Sequence, residues 1–173
     1  MFIPAEFSRL LALDNVPLGG TRIHLQASPE ECRALAARFE LVRLDRLEGD
    51  VEVTPVDAGL TFHVAGRLDA DVVQSCVVTF EPVPARVEAA FDRLFGRDVP
   101  VEADAEVEVD VMAETPEPID GDKLDLGEIL AEELSLALDP YPRAPEADRK
   151  MAEFTDAEEA AHPFGALARL RKH

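Results

Sequence analysis

The chain has 173 residues, of which 36 are acidic and 17 are basic, giving a formal net charge of −19, and 47% are hydrophobic. This size and apolar content predict one hydrophobic core with a tail and disfavour two independent cores. The negative charge disfavours direct binding to a phosphate backbone, which generally requires a basic patch.

The N-terminal part predicts two strands and a helix. A strand is expected at about 7–13 and a second at 21–27, where apolar and polar residues alternate. The sequence Ser-Pro-Glu-Glu at 28–31 predicts a helix start, because it combines a serine cap, a proline in the first turn and a glutamate that can reach back to the cap amide. The helix should end near Phe39, and its apolar stripe predicts that Cys32 is a core residue.

Residues 41–95 predict an antiparallel meander, because the apolar period changes to two and turn-forming residues recur. Turns are expected at 55–59, 69–71 and 81–84. In this interpretation Cys76 lies within a strand, on the same buried face as Val78 and Phe80. A buried thiol without a nearby base or cation is expected to be unreactive.

Residues 98–159 hold most of the negative charge, with 21 acidic and 4 basic residues. Residues 101–111 alternate strictly between apolar and acidic, so an extended strand would place every carboxylate on one face. These carboxylates can bind a basic partner, or they can serve solubility alone. The predicted acidic surface on this strand consists of Glu102, Asp104, Glu106, Glu108 and Asp110.

A second helix is predicted from 125–128, again a cap followed by a glutamate, and it should end at the prolines of 140–142. Its apolar stripe is expected to pack on the sheet, with Glu128 and Glu132 on the outer face as part of the partner surface. The polar, alanine-rich stretch 143–161 is interpreted as a flexible linker.

The last segment, 162–173, is a basic amphipathic tail. Its spacing suits a groove on a protein, a phosphate-rich surface, or packing on its own domain. The tail residues expected to contact a partner are Phe164, Leu167, Arg169, Leu170, Arg171 and Lys172. The predicted fold class is therefore α+β, with one domain over 1–142: a mainly antiparallel β meander or barrel-like sheet, two packed helices and a flexible C-terminal tail.

The spacing of reactive residues predicts no catalytic site, no metal site and no cofactor. The four histidines are scattered, and Cys32 and Cys76 are far apart. Motifs for a nucleophile turn or a phosphate-binding loop are absent from the sequence, so an enzyme is not expected. The low cysteine content, the lack of a signal-peptide pattern and the lack of an apolar run of about 18 residues predict a cytoplasmic protein that does not enter a membrane.

Three segments occur in a recognisable order. They read Cys-Val-Val-Thr-Phe-Glu-Pro at 76–82, Leu-Asp-Leu-Gly-Glu-Ile-Leu-Ala-Glu-Glu-Leu at 124–134 with the exit Pro-Tyr-Pro at 140–142, and Pro-Phe-Gly-Ala-Leu-Ala-Arg-Leu-Arg-Lys at 163–172. In order and spacing they resemble the YceD family, the bacterial large ribosomal RNA subunit accumulation proteins. Many relatives carry Cys-x-x-Cys in the first segment. Thr79 occupies the second position here, so a metal or redox role of a cysteine pair does not carry over.

The resemblance implies a non-enzymatic role in the accumulation of large-subunit ribosomal RNA. Together with the charge distribution it predicts a ribosome-biogenesis factor that binds a basic ribosomal protein or a pre-ribosomal particle. In this hypothesis the acidic strand and helix contact the basic partner, and the tail contacts RNA or a second partner. The alternative is a direct RNA-binding or RNA-processing protein whose contact face includes Arg67, Arg86, Arg93 and Arg97.

Overall fold

The structure is a computed structural model that describes residues 5–97, 115–119 and 121–152. Its strands are β1 (Leu10–Ala12), β2 (Thr21–Gln26), β3 (Arg43–Val56), β4 (Thr61–Ser75), β5 (Pro82–Gly96), β6 (Glu117–Pro118) and β7 (Lys123–Asp125), and its helices are α1 (Pro29–Arg38) and α2 (Leu126–Ala137). Residues 147–152 are also helical. This arrangement confirms the predicted α+β class. The acidic strand predicted at 101–111 and the tail at 162–173 lie outside the described residues.

The centre of the fold is a five-stranded sheet. Strands β2, β3, β4 and β5 form an antiparallel meander in chain order, and β6 pairs with β5 in parallel. β4 and β5 pair along their whole lengths, from Thr61 opposite Gly96 to Ser75 opposite Pro82. The predicted meander is confirmed. The sheet is open, with β2 and β6 at its edges in the described part of the chain, so the barrel-like alternative does not describe it.

One predicted turn is wrong. The sequence suggested a turn at 69–71, but β4 continues through these residues. Arg46 on the neighbouring strand β3 binds the carboxylates of both Asp69 and Asp71, with a distance of 2.8 Å from its Nε to Asp71. The aspartates that suggested a turn therefore belong to a cross-strand ion-pair cluster. The turn predicted at 55–59 is confirmed by the 3-10 turn Asp57–Gly59.

Helix α1 begins where the sequence predicts. The Ser28 hydroxyl accepts a hydrogen bond from the backbone N–H of Glu31 at 3.2 Å, and the Glu31 carboxylate accepts one from the backbone N–H of Ser28 at 2.7 Å. This reciprocal pair is a capping box. Arg9 binds the same carboxylate at 2.7 Å and lowers the pKa of Glu31 to about 2. Cys32 is buried, as predicted from the apolar stripe of the helix.

Helix α2 covers one face of the sheet and contacts β4 and β5. Its cap is Asp125, whose Oδ1 accepts hydrogen bonds from the backbone N–H groups of Gly127 and Glu128. The helix approaches β3 so closely that a Cβ on Gly49 would lie 2.7 Å from Cδ1 of Leu130. The buried stripe of α2 consists of Leu126, Ile129, Leu130, Ala131 and Leu134. No helix in the described ranges combines the length and apolar character that crossing a membrane requires.

The N-terminal strand is shorter than predicted. β1 covers only Leu10–Ala12 and continues into a 3-10 turn at Leu13–Asn15. It pairs with β7, so that Leu10 lies opposite Asp125. Phe7 is fully buried, and the Arg9 guanidinium lies 4.6 Å from the centre of its ring. The start of the chain is thereby fixed to the start of α2.

The other face of the central sheet is polar and carries no described helix. Ion pairs across neighbouring strands include Arg22 with Glu52 at 2.7 Å. His24 lies 3.2 Å from Asp50 on this face. His63 lies on this side of β4, opposite to the buried Phe62 and Val64, as the strand alternation predicts.

Candidate functional site

The first family-like segment forms the loop between β4 and β5. Two backbone hydrogen bonds close it, from Cys76 N–H to the Glu81 carbonyl at 2.8 Å and from Phe80 N–H to the Cys76 carbonyl at 3.0 Å. The prediction that Cys76, Val78 and Phe80 share one buried face of a strand is wrong, because β4 ends at Ser75. The turn also lies earlier than the predicted 81–84, since β5 begins at Pro82.

The Cys76 sulfur is the centre of this loop. Cys76 is 0% exposed, and its Sγ accepts hydrogen bonds from the backbone N–H groups of Val78 at 3.5 Å, Thr79 at 3.4 Å and Ala144 at 3.3 Å. Burial raises the pKa of the thiol, but the amide donors stabilise the thiolate more strongly, so that the pKa is lowered to about 7. The prediction of an unreactive thiol is based on the lack of a nearby base or cation, whereas the lowered pKa comes from backbone amides.

The exit segment after α2 packs directly on this loop. The Val77 N–H donates to the carbonyl oxygen of Pro142 at 2.9 Å, and the Gln74 side-chain amide donates to the carbonyl of Asp139 at 2.8 Å. The Lys150 ammonium lies 2.7 Å from the Glu81 carboxylate. Two segments that are distant in sequence, 76–82 and 140–142, thus meet in the fold.

The first residues of the predicted linker take part in the same contact. Ala144 and Ala147 are buried and form a small core with Cys76, against which Val78 and Val83 pack. Residues 147–152 are helical. Ala144, Ala147 and Lys150 of the predicted linker 143–161 thus contact the Cys76 loop, while 153–161 lie outside the described residues.

The loop does not have the donors of a metal centre. Cys76 supplies one thiol, and the Thr79 hydroxyl at the second position of the family motif donates to Glu81 Oε2 at 3.2 Å and accepts from the Glu81 N–H at 3.4 Å. A structural zinc site needs four ligands, mainly thiolates and imidazoles. No group of three or more potential ligands occurs anywhere in the ranges that the structure describes.

Phe80 has an unusual backbone conformation for an aromatic residue. Its φ is 59°, in the left-handed region that favours glycine. A residue other than glycine in this region costs on the order of 1–2 kcal/mol, so the surrounding hydrogen bonds must hold it there. The side chain is 81% exposed. The loop therefore presents a phenyl ring to solvent from a strained position, in contrast to the buried Phe80 expected from the strand alternation.

Comparison with known protein families identifies the family of the chain. The family model described as "Large ribosomal RNA subunit accumulation protein YceD" matches residues 64–171, which is more than half of the chain. The chain belongs to the YceD family. The chain has no significant match to a curated protein or to a solved structure. The matched range begins in β4 and includes the Cys76 loop, α2 and the exit segment, so it contains the elements that meet at this site.

Two of the acidic residues predicted to bind a partner are paired within the protein. In this YceD family member Glu128 binds Arg38 at 2.6 Å, and Glu132 binds Arg93 at 2.8 Å. These carboxylates connect α2 to α1 and to β5. The other predicted partner residues, in the acidic strand and in the tail, lie outside the described residues.

The four arginines of the alternative RNA-binding face are not gathered into a basic patch. Arg93 is only 18% exposed and lies on the α2 side of the sheet. Arg97 binds Asp14 at 2.7 Å, at the end of β5. Arg86 binds Asp69 and Glu88 on the polar face. Of the four, only Arg67 has no acidic partner among the described residues.

Arg67 lies in a shallow groove of about 500 Å³ on the polar face of the sheet. Its neighbours there are mainly carboxylates, so the groove does not provide the concentration of positive charge that a phosphate backbone requires. The charged and imidazole side chains that line the groove are His24, Glu48, Asp50, Arg67, Asp69 and Glu88.

Proposed function

We propose that this protein is a non-enzymatic ribosome-biogenesis factor that supports the accumulation of large-subunit ribosomal RNA by binding a basic ribosomal protein or a pre-ribosomal particle. Membership of the YceD family supports the ribosomal role, because the family is described by the accumulation of large-subunit RNA and not by a reaction. The structure adds an electrostatic reason for a protein partner.

The proposal rests on the ion pairing of the protein's own lysines and arginines. Across the described ranges, every lysine and arginine except Arg33, Arg67 and Lys123 forms an ion pair with one of the protein's own carboxylates. A cation that is already paired releases fewer counterions from a phosphate backbone. The surplus carboxylates keep a negative field that attracts a cationic partner and speeds its association.

The finer assignment of contact residues follows from the same pairing. Because Glu128 and Glu132 hold α2 to the rest of the fold, we assign the principal contact with the basic partner to the carboxylates of the predicted acidic strand. In this proposal the basic tail contacts RNA or a second partner. The strand residues concerned are Glu102, Asp104, Glu106, Glu108 and Asp110, and the tail residues are Phe164, Leu167, Arg169, Leu170, Arg171 and Lys172.

The proposal is tested with the full-length chain and two purified probes. One probe is the set of proteins released from large ribosomal subunits by lithium chloride, and the other is deproteinised large-subunit RNA. We expect the immobilised chain to retain basic ribosomal proteins at low salt and to lose them at high salt. Salt suppresses the attraction between exposed charges that are farther apart than about 8–10 Å at physiological ionic strength, and this distance becomes shorter as the salt concentration rises. Filter binding should detect little affinity for the RNA alone. Tight binding to RNA alone would instead support the alternative function.

A matched pair of variants tests the position of the acidic contact. The first variant replaces four carboxylates of the predicted acidic strand with the corresponding amides, at Glu102, Asp104, Glu106 and Glu108. It should retain less of the ribosomal proteins, because the proposed surface has lost negative charge. The control makes the same change in net charge on the polar face of the sheet, at Asp50, Glu52, Glu88 and Asp92, and should reduce retention less. Equal losses would show that only total charge matters.

A further inference from the structure

The Cys76 loop presents its largest side chain outward, and the backbone of that residue is strained. The Phe80 N–H donates a hydrogen bond of 3.0 Å to the Cys76 carbonyl, and the Cys76 N–H donates one of 2.8 Å to the carbonyl of the adjacent Glu81. Phe80 is nevertheless 81% exposed. Strain of this kind persists where the surrounding structure imposes it and is frequent at functional sites. Because the ring adds little to the protein's own core, folding alone does not explain its position.

Two further exposed apolar residues lie in the loop and in the exit segment. Val77 is 46% exposed and Tyr141 is 72% exposed. The hydrogen bond from the Val77 N–H to the Pro142 carbonyl fixes the relative positions of their two segments. We refer to Val77, Phe80 and Tyr141 as the apolar tip. Its members come from the loop and from the exit segment, so it exists only when these two parts of the chain are packed together.

The cations next to the apolar tip are already neutralised. Lys150 binds Glu81 at 2.7 Å, Arg143 binds Asp148 at 2.8 Å, and Arg149 binds Glu146. Asp139 lies at the start of the exit segment, and its carboxylate caps the Tyr141 N–H at 2.9 Å without a cationic partner among the described residues. Among the described residues around the tip, the carboxylates therefore outnumber the cations by one. An aromatic anchor with an acidic margin suits a protein partner that is basic and exposes an apolar side chain.

From this combination we propose that the apolar tip is a docking surface for a basic ribosomal protein, with Phe80 as its anchor. The inference rests on the proposed function and adds the place of contact. Exposed aromatic residues in a rigid frame commonly contribute most of the binding free energy at protein interfaces. In this proposal the carboxylates between Glu102 and Asp110 increase the rate of encounter, and the tip supplies short-range apolar contact.

Phe80→Gly separates binding from folding. Glycine adopts a positive φ freely, so this variant should keep or raise the midpoint of thermal unfolding while it removes the ring. With the lithium chloride protein fraction as the probe, we expect at least about tenfold weaker retention of ribosomal proteins. Tyr141→Ala should weaken retention in the same direction. Leu18→Ala is the control, because Leu18 is 88% exposed and precedes β2 at the opposite end of the sheet.

The outcomes distinguish this inference from the proposed function. Failure of the wild-type chain to retain ribosomal proteins would overturn both. Retention by the wild type and equally by Phe80→Gly would overturn only the docking role of the tip. A lower unfolding midpoint for Phe80→Gly would also overturn it, because it would show that the ring packs on the protein itself.

Discussion

The backbone N–H of Ala144 donates a hydrogen bond of 3.3 Å to the Sγ of Cys76, and the two residues are 68 positions apart in the chain. This bond joins the loop after β4 to the segment after α2, and both belong to the range matched by the family. Since Val78 and Thr79 donate to the same sulfur, one buried atom orders three backbone amides. Its replacement should therefore have local as well as global effects.

Cys76→Ala is expected to destabilise the protein by about 2–4 kcal/mol, because it leaves buried amides without an acceptor and creates a cavity. It should also release the segment that contains Arg143, Arg149 and Lys150. Limited tryptic digestion should then cut there faster, relative to the rest of the chain, than in the wild type. Cys32→Ala is the control: it lowers global stability through α1 without preferential cleavage after α2. Identical digestion patterns in the two variants would contradict the local role.

The stability that Cys76 provides should depend on pH. The pKa of the folded thiol is about 7, below its ordinary value of 9.0. A lowered pKa means that the thiolate contributes stability above pH 9 and that this contribution is lost as the pH falls through 7. Urea unfolding should therefore show a larger difference in free energy between wild type and Cys76→Ser at about pH 9 than at about pH 6. For Cys32→Ser, where burial raises the thiol pKa, the difference should not grow with pH.

Gly49 is required by the close packing of α2 on β3. An added Cβ would lie 2.7 Å from Leu130 Cδ1 and 2.7 Å from the carbonyl oxygen of Arg67. Gly49→Ala should therefore lower the free energy of unfolding by about 1–3 kcal/mol. Gly19→Ala is the matched control, since a Cβ there has no atom within 4 Å. Chemical unfolding of both variants measures the difference, and equal stability would show that the contact relaxes without cost.

Arg93 neutralises carboxylates that α2 brings to the sheet. Arg93→Met leaves Glu133 largely buried and unpaired, so we expect a loss of about 3 kcal/mol at neutral pH. Burial already raises the pKa of Glu133, and removal of the cation should raise it further. A raised carboxyl pKa favours the folded state at low pH, so the stability deficit should shrink as the pH falls toward 5. Arg22→Met is the control: Arg22 belongs to an exposed surface pair, so its loss should leave stability nearly unchanged at either pH.

The parts of the fold that were predicted correctly depend on local signals. The Ser28 capping box and the Asp125 cap each connect residues two or three positions apart, so the sequence alone specifies them. The alternation of apolar and polar residues that predicts the meander is also a pattern between residues close in sequence. The errors occurred where a distant residue decides the structure. Arg46 keeps 69–71 in a strand, and Ala144 and Ala147 are buried only because Cys76 meets them.

The candidate site was only partly predictable. The two segments that meet at the loop were both singled out in sequence, but their contact depends on tertiary packing. The left-handed conformation of Phe80 had no sequence signal, because the residues between β4 and β5 include no glycine. The acidic residues of 98–159 and the basic residues of the tail, by contrast, were identified from the sequence alone. Their interpretation changed only at Glu128 and Glu132, whose arginine partners come from other elements.

The pairing of β1 with β7 has a consequence for synthesis of the chain. The Arg9 N–H binds Asp125 across 116 positions, so the N-terminal strand has no partner until translation has passed β7. The β4–β5 hairpin, by contrast, can close locally soon after it emerges, because short-range contacts form faster than long-range ones. Until then Phe7 has no completed core to enter, and its side chain stays exposed in the nascent chain. A protein implicated in building ribosomes therefore completes its own fold only late in its passage through one.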